Sequence, residues 1–238
     1  MFETIHLGEL TIEVSKKDIK HVHLSVHPPY GRVTLVAPKA TRLEVARAYA
    51  ISKLGWIRRQ QEKLKSQARE TPRQFIERES HYLWGKRYLL HIVQHDAPPK
   101  VDLAHHKITL FLRPSTTTER RQELFDAWYR QQLRAAVQPL LAKWERAMGV
   151  KAEKIVVQRM KTKWGSCSPK TSSIRLNTDL AKKPIDCLEY IVVHELAHLI
   201  EPTHNHRFTA LMDRLLPNWR LHRDVLNQLP VRHETWDY

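Results

Sequence analysis

The stretch that decides the fold is "PIDCLEYIVVHELAHLIEPTHNHRF", residues 184–208. Pro184 suits the first turn of a helix, and the residue before Pro202 is disfavoured in a helical conformation, so the two prolines bound a predicted helix. Apolar residues stand on both sides of its histidines, as "YIVV" before them and "LI" after them. We therefore expect this helix to be apolar on much of its circumference and largely buried.

Two histidines of this helix are four residues apart and so lie on one face. His194 and His198 present imidazole nitrogens, which zinc and similar metals prefer, at a separation that one ion can bridge. Glu195 projects about 100° round the helix and can reach a water molecule held on that ion. The alternative is a histidine-rich helix surface, but a buried histidine and glutamate need partners. The pattern therefore predicts a metal site.

A catalytic zinc ion usually takes three protein ligands and leaves one position open, so a third ligand is needed. Four residues are candidates: Glu201, His204, His206 and His222. His204 is preferred, because the chain turns after Pro202 and can present this side chain back towards the ion. His206 comes second.

The remaining patterns predict an α+β fold. Alternation of apolar and polar residues around the turn "PPYG" (28–31) predicts antiparallel strands, followed by a basic amphipathic helix over 41–69. Further strands are expected in 81–94 and 107–114, then a long helix that ends at Gly149 and is kinked or broken at Pro139. A last helix is interrupted at Pro217. No internal repeat is apparent. A shift in composition predicts a β-rich domain over 1–118 and a second domain over 119–238.

Composition predicts a globular protein with anionic partners. Lysine and arginine number 40 against 25 acids, giving a formal charge of +15 and a pI near 10.0. This balance favours nucleic acid, which the basic helix could contact, although a solvated helix surface is as good an explanation. Two cysteines, no signal peptide and no long apolar run predict a cytoplasmic protein without a membrane span.

The segment before the helix gives the sequence a specific resemblance. "RMKTKWGSCS" (159–168), "IRLN" (174–177), the proline-led helix with His-Glu-x-x-His, and a histidine four residues before Phe208 together resemble the YgjP-like metallopeptidase family, distant relatives of the SprT-like zinc proteases. The resemblance covers most of the chain. It implies a zincin-like catalytic domain on which the β-rich N-terminal region packs, with His204 as the third zinc ligand. "THNH" departs from the family, which tends to have Asn-His-Ser there, so His206 is an extra histidine.

The hypothesis is a zinc-dependent peptidase. Zn2+ on His194, His198 and His204 would lower the pKa of a water molecule towards about 7, and Glu195 would act as the general base that removes its proton. The resemblance implies that an edge strand binds an extended peptide, a part we assign to "SSIRLN" (172–177).

Four residues are expected to line the substrate cleft: Trp164, Gly165, Ser166 and Asn177. A tight turn with a packed tryptophan is the structural alternative for the first three. The competing functions are a nucleic-acid-associated protease and a non-catalytic module that binds metal or nucleic acid. "HNH" at 204–206 also echoes the name of a nuclease motif, but that fold spreads its residues over a hairpin and a helix.

Overall fold

The computed structural model describes residues 3–28 and 30–232, which form two compact units. The first unit extends to Arg69, and the second comprises Glu70–Arg232. The division falls at residue 69 and not near residue 119, because the strands of residues 80–112 share one hydrophobic core with the helices that follow them. Pro29 of the expected "PPYG" turn, and residues 233–238 of the expected second domain, lie outside the described residues.

The first unit begins with a four-stranded sheet. Its strands are β1 (Glu3–Leu7), β2 (Leu10–Lys17), β3 (His23–His27) and β4 (Arg32–Pro38), in the order β1-β2-β4-β3. The purely antiparallel arrangement expected from the sequence is wrong for one pair, since β2 and β4 are parallel. After β2 the chain crosses to the far edge of the sheet and forms β3. The β3–β4 hairpin then places β4 between β3 and β2, where β4 runs parallel to β2.

The helix predicted over residues 41–69 is two helices, α1 (Leu43–Ser52) and α2 (Leu54–Ser66), separated at Lys53. Lys53 has a φ of −103° and a ψ of 3°, outside the helical range. One face of the sheet packs against both helices, with Ile12, Leu35 and Ile57 fully buried. This separate core explains why the first unit is compact on its own.

The second unit opens with a sheet of the same topology. Strands β5 (Ser80–Leu83), β6 (Lys86–Gln94), β7 (Lys100–Ala104) and β8 (Lys107–Leu112) lie in the order β5-β6-β8-β7, with β6 and β8 parallel and the outer pairs antiparallel. The fold therefore contains a repeated sheet that the sequence does not reveal. Many sequences satisfy the same alternation of apolar and polar residues, so topology can repeat without a visible sequence repeat.

Helix α3 (Thr118–Met148) is continuous and passes through Pro139 without a break. The Oγ1 of Thr117 caps its start by accepting from the backbone N–H of Arg120 at 3.3 Å. Gly149 ends it with a φ of 66°, the left-handed conformation that glycine adopts without strain. The buried face of α3 includes Phe125 and Leu133, which join the core of the second unit.

A three-stranded sheet follows, formed by β9 (Lys154–Gln158), β10 (Gly165–Ser168) and β11 (Ser173–Asn177). Its order is β10-β11-β9, so β11 is the central strand. The expectation that "SSIRLN" forms an edge strand is therefore wrong. β9 pairs with it in parallel and β10 in antiparallel, which satisfies both of its edges. Among residues 3–28 and 30–232, β10 is the strand of this sheet that pairs on one edge only and also packs on the histidine helix.

Three helices complete the second unit: α4 (Ile185–Ile200), α5 (His206–Leu215) and α6 (Trp219–Gln228). The interruption predicted at Pro217 is confirmed, because α5 ends before this proline and α6 begins after it. α4 is the central element, with Leu188, Val193 and Leu196 fully buried. None of the helices among the described residues combines the length and the apolar character needed to cross a membrane.

A cluster of buried charges joins the two ends of the second unit. Its members are Glu70, Asp126, Asp179, Lys182, Lys183 and Arg232, three acids and three bases. Asp179 accepts from Lys182 Nζ at 3.0 Å and from Arg232 Nε at 3.1 Å. Burial alone would raise the pKa of Asp179, but Lys182 and Arg232 outweigh burial and hold this pKa below its usual value.

Replacing Asp179 with Asn should lower the free energy of unfolding by about 1.5–3 kcal/mol at pH 7. Lys182 and Arg232 each lose one of two carboxylate partners, while Glu70 and Asp126 remain. Urea unfolding followed by tryptophan fluorescence measures this difference. The folded pKa of Asp179 lies below the unfolded value of about 3.9. The ionised Asp179 carboxylate therefore contributes its full share to the free energy of unfolding above that pH. The difference in this free energy between wild type and variant should narrow as the pH falls below it.

Asp102→Asn is the matched control. Asp102 pairs with Lys100 at 2.7 Å, but both side chains are at least half exposed. An exposed pair contributes about 0–1 kcal/mol, so this variant should unfold almost as the wild type does. Equal effects of the two substitutions would contradict a structural role for the buried cluster.

Candidate metal centre

The first two histidines of the centre come from one turn of α4. The centroids of the His194 and His198 rings lie 4.9 Å apart, as expected for positions i and i+4. The helix ends at Ile200, and the extended conformation of Glu201 turns the chain out of it before Pro202. The helix bounds predicted from the two prolines are thus confirmed.

The third histidine returns from beyond that turn. The Nε2 atoms of His204 and His194 lie 3.0 Å apart. Among the described residues, His194, His198 and His204 form the group whose ligand atoms all lie within 4.8 Å of one another. His206 is outside this group and is the first residue of α5. His222 lies on α6, where its backbone carbonyl accepts from Cys187 Sγ at 3.8 Å.

Two neighbours of His204 fix the returning segment. Asn205 caps α5, since its Oδ1 accepts from the backbone N–H groups of Arg207 at 2.8 Å and Phe208 at 3.1 Å. The Phe208 ring is buried and lies 4.7–5.0 Å, between centroids, from all three imidazoles. It packs against all three imidazoles as one shared apolar surface. In the sequence, Phe208 serves only to count back to His204, although an aromatic residue one turn beyond a candidate ligand is a signal for such packing.

The hydrogen bonds of the triad suit a metal ion. The Nδ1–H of His198 donates to the Glu201 carbonyl at 3.2 Å, which leaves Nε2 to act as a ligand. His194 and His204 turn their Nε2 atoms towards each other, although two neutral imidazoles can share only one hydrogen in such a contact. A tetrahedral ion with metal–nitrogen bonds of about 2.0–2.1 Å separates its nitrogen ligands by about 3.3 Å. The donor set and its spacing therefore fit a zinc-like ion.

The two helical imidazoles are held in the neutral form that binds metal. Burial, together with the neighbouring His198 and His204, lowers the pKa of His194 to about 3. Burial also lowers the pKa of His198, although its hydrogen bond to Glu201 acts in the opposite direction. A neutral imidazole offers a lone pair that a protonated one lacks.

Glu195 follows His194 on α4 and packs against β10. Its side chain is 5% exposed, and burial raises its pKa to about 7, while the charge of Lys163 acts to lower it. The β10 backbone approaches so closely that a Cβ atom at Gly165 would stand 2.5 Å from Glu195 Oε1. Glycine is needed here for space, since any side chain would displace the carboxylate.

The structure brings the "WGSCS" segment to Glu195. Trp164 and Ser166 are half-buried, one on either side of Gly165. Cys167 is also half-buried, and burial together with the charge of Glu195 raises the pKa of its thiol to about 11.

Asn177 is 5% exposed, and its side-chain amide contacts the backbone of the preceding loop. Its Nδ2 donates to the carbonyls of Met160 at 2.8 Å and Lys163 at 2.9 Å. Its Oδ1 accepts from the backbone N–H groups of Asp179 at 3.1 Å and Met160 at 3.4 Å.

A helix-borne histidine pair, a third histidine beyond the turn and an adjacent buried carboxylate are the parts of a metal-dependent hydrolase site. The family model of the YgjP-like, metallopeptidase domain matches residues 20–229, and the chain belongs to this family. A comparison with curated proteins finds no match.

Two solved structures are similar to part of the chain, each at 23% identity. The metallopeptidase zymogen of Pyrococcus abyssi abylysin matches with a TM-score of 0.36, covering 38% of this chain and 90% of that one. The metallopeptidase zymogen of Methanocaldococcus jannaschii jannalysin matches with a TM-score of 0.32, covering 41% and 91%.

Replacing His204 with Ala should weaken the binding of Zn2+ on the order of 100-fold or more, because one of three converging nitrogens is lost. The loss of a residue that only supports a ligand costs about 10–100-fold, and the loss of a ligand itself should cost more. Competition of the purified protein with a fluorescent zinc chelator measures the dissociation constant. His206→Ala is the control and should bind zinc as the wild type does. The reverse ranking of the two variants would make His206 the third ligand.

Proposed function

We propose that the protein is a zinc-dependent peptidase with a zincin-like second unit, in which His194, His198 and His204 hold the ion and Glu195 is the general base. The convergence of three imidazoles beside a buried carboxylate carries the proposal. Membership of a metallopeptidase family supports hydrolysis of peptide bonds.

A zinc ion, when bound, would polarise the peptide carbonyl and acidify the attacking water. Glu195 takes one proton from that water as its oxygen bonds to the carbonyl carbon. The same carboxyl group then gives the proton to the nitrogen of the departing amine as the carbon–nitrogen bond breaks. Burial raises the pKa of the Glu195 carboxyl above its usual value, and a buried carboxyl beside the triad is placed to accept and return a proton.

The substrate is proposed to lie along β10 as an extended peptide. β10 pairs with β11 on one edge only, so its other edge is available for backbone hydrogen bonds within the part of the chain that the structure describes. Because this strand also packs on α4, a peptide bound there would pass beside Glu195. Trp164 and Ser166 would flank it.

Replacing Glu195 with Gln should leave zinc binding intact, because the three histidines are unchanged, and should lower kcat by about 10²–10⁴-fold through loss of the general base. Metal analysis of the purified proteins and a proteome-derived peptide cleavage assay measure the two effects.

Two outcomes of this experiment contradict parts of the proposal. Full activity of Glu195→Gln would remove the role of Glu195. A wild type that carries stoichiometric zinc but cuts no more peptide than the variant would favour a non-catalytic metal-binding module.

A second candidate function, non-specific binding of single-stranded nucleic acid, rests on α2 in the first unit. Four of its cations are exposed: Arg58, Arg59, Lys63 and Lys65. None of these four forms an ion pair with another described residue. Their charge is therefore available to phosphate groups.

An exposed aromatic ring lies on the turn that is hydrogen-bonded to this helix. Tyr30 is 80% exposed, and the turn that carries it is fixed to α2 because Gln61 Nε2 donates to the Gly31 carbonyl at 2.8 Å. Arg58 and Lys65 lie three residues before and four residues after Gln61, on the same side of the helix. An aromatic ring held next to cations is the arrangement on which bases stack while phosphates bind.

Replacing both Arg58 and Lys65 with Gln should weaken binding to a fluorescent single-stranded oligonucleotide and reduce the slope of log K against log[salt] by about 1.4, at about 0.7 per phosphate contact. Tyr30→Ala should weaken binding without changing the slope. Fluorescence anisotropy across a salt titration measures both.

The control replaces the exposed residues Lys86 and Arg87 of β6 with Gln, which removes the same charge from the second unit. Equal losses in the two double variants, or equal binding of polyglutamate, would show that net charge alone is responsible.

A further inference from the structure

We propose that Asn177 is a positioning residue that acts on Glu195 through the backbone of residues 160–165. The inference rests on the proposed function, in which Glu195 moves the proton. Asn177 thus holds the loop, whereas its sequence position suggested that it contacts the substrate.

The side-chain amide of Asn177 is hydrogen-bonded to the backbone near both ends of the loop. Nδ2 donates to the carbonyls of Met160 and Lys163, and Oδ1 accepts from the N–H of Met160. The backbone N–H of Asn177 donates to the Trp164 carbonyl at 2.9 Å. One buried residue thereby fixes the segment that enters β10.

The loop ends on the catalytic carboxylate. Gly165 follows Trp164 directly and pairs with Leu176, the residue before Asn177. Its Cα lies so close to Glu195 that a methyl group at this position would approach the Oε1, Cγ and Cδ atoms within 2.9 Å. The position of this backbone therefore limits where the carboxylate of Glu195 can lie.

The loop also carries a cation that acts on Glu195. Lys163 is the basic residue whose charge acts on the Glu195 carboxyl, and its carbonyl is one of the atoms that Asn177 holds. A loop released from Asn177 would move both the wall beside Glu195 and this cation.

The neighbouring residue provides a matched control. Thr178 is equally buried, at 4% exposure, and its Oγ1 has no hydrogen-bond partner among the described residues. Thr178→Val removes a buried hydroxyl group at the next position, with little change in side-chain size, and does not release the loop. The kcat and the backbone dynamics should therefore stay at the wild-type level.

The test compares Asn177→Ala with Thr178→Val. Asn177→Ala should raise amide hydrogen exchange in residues 160–168 at least about 10-fold, while exchange in α4 and zinc binding stay unchanged. Its kcat should fall about 100-fold with little change in KM, since a displacement of about 1 Å at a reacting group costs that much.

Gly165→Ala is the second variant, because loss of Asn177 could unfold the chain. The hydrogen bonds of Asn177 to the loop remain in this variant, and only the new methyl group presses on Glu195. It should retain zinc and wild-type exchange but show the same fall in kcat.

A double-variant cycle decides whether the effect passes through Glu195. In a Glu195→Asp background the carboxylate is already withdrawn, so Asn177→Ala should lower kcat several-fold less than it does in the wild type. Equal fold-losses in both backgrounds would overturn the proposal, as would wild-type exchange in residues 160–168 of Asn177→Ala. If the wild type cuts no peptide while hydrogen exchange rises as expected in Asn177→Ala, the proposed peptidase function is wrong, but the role of Asn177 in holding the loop is supported.

Discussion

The close approach of β10 to α4 at Gly165 is the contact on which the site depends. A strand can lie directly against a buried glutamate only where it carries no side chain, and Gly165 provides that space beside Glu195. The same contact removes Glu195 from solvent and so raises its pKa towards neutrality. The absence of a Cβ atom at Gly165 therefore links the packing of the second unit to the burial and the raised pKa of Glu195.

The candidate metal centre consists of two histidines on one helix and a third histidine from the segment that follows it. α4 fixes His194 and His198 by its own geometry, whereas His204 reaches them only because the chain turns at Glu201 and is held by the Asn205 cap. Phe208 lies under all three rings and restricts their orientation. Such support around the ligands lets three imidazoles stay close together with their nitrogens available for an ion.

The two units repeat one sheet topology but use charge differently. In the second unit three acids and three bases neutralise one another in a buried cluster that joins Glu70 to Arg232. In the first unit the cations of α2 face solvent without a described partner. Burial forces charges to pair because an unpaired ion is costly away from water, while exposed charges are free to meet an external anion.

The sequence by itself determined the helix of residues 185–200, its histidine pair and adjacent glutamate, the break at Pro217 and the end of α3 at Gly149, because helix periodicity, prolines and glycines act locally. It favoured His204 but could not separate it from His206 by spacing alone. Only the tertiary structure decided that β10 and not β11 is the edge strand, that β2 and β4 are parallel, and that the units divide after Arg69. It also revealed the contacts of Gly165, Asn177 and Phe208 with their distant partners. Those features depend on which segments meet in space, and the alternation of apolar and polar residues in a strand specifies a buried face without specifying its neighbours.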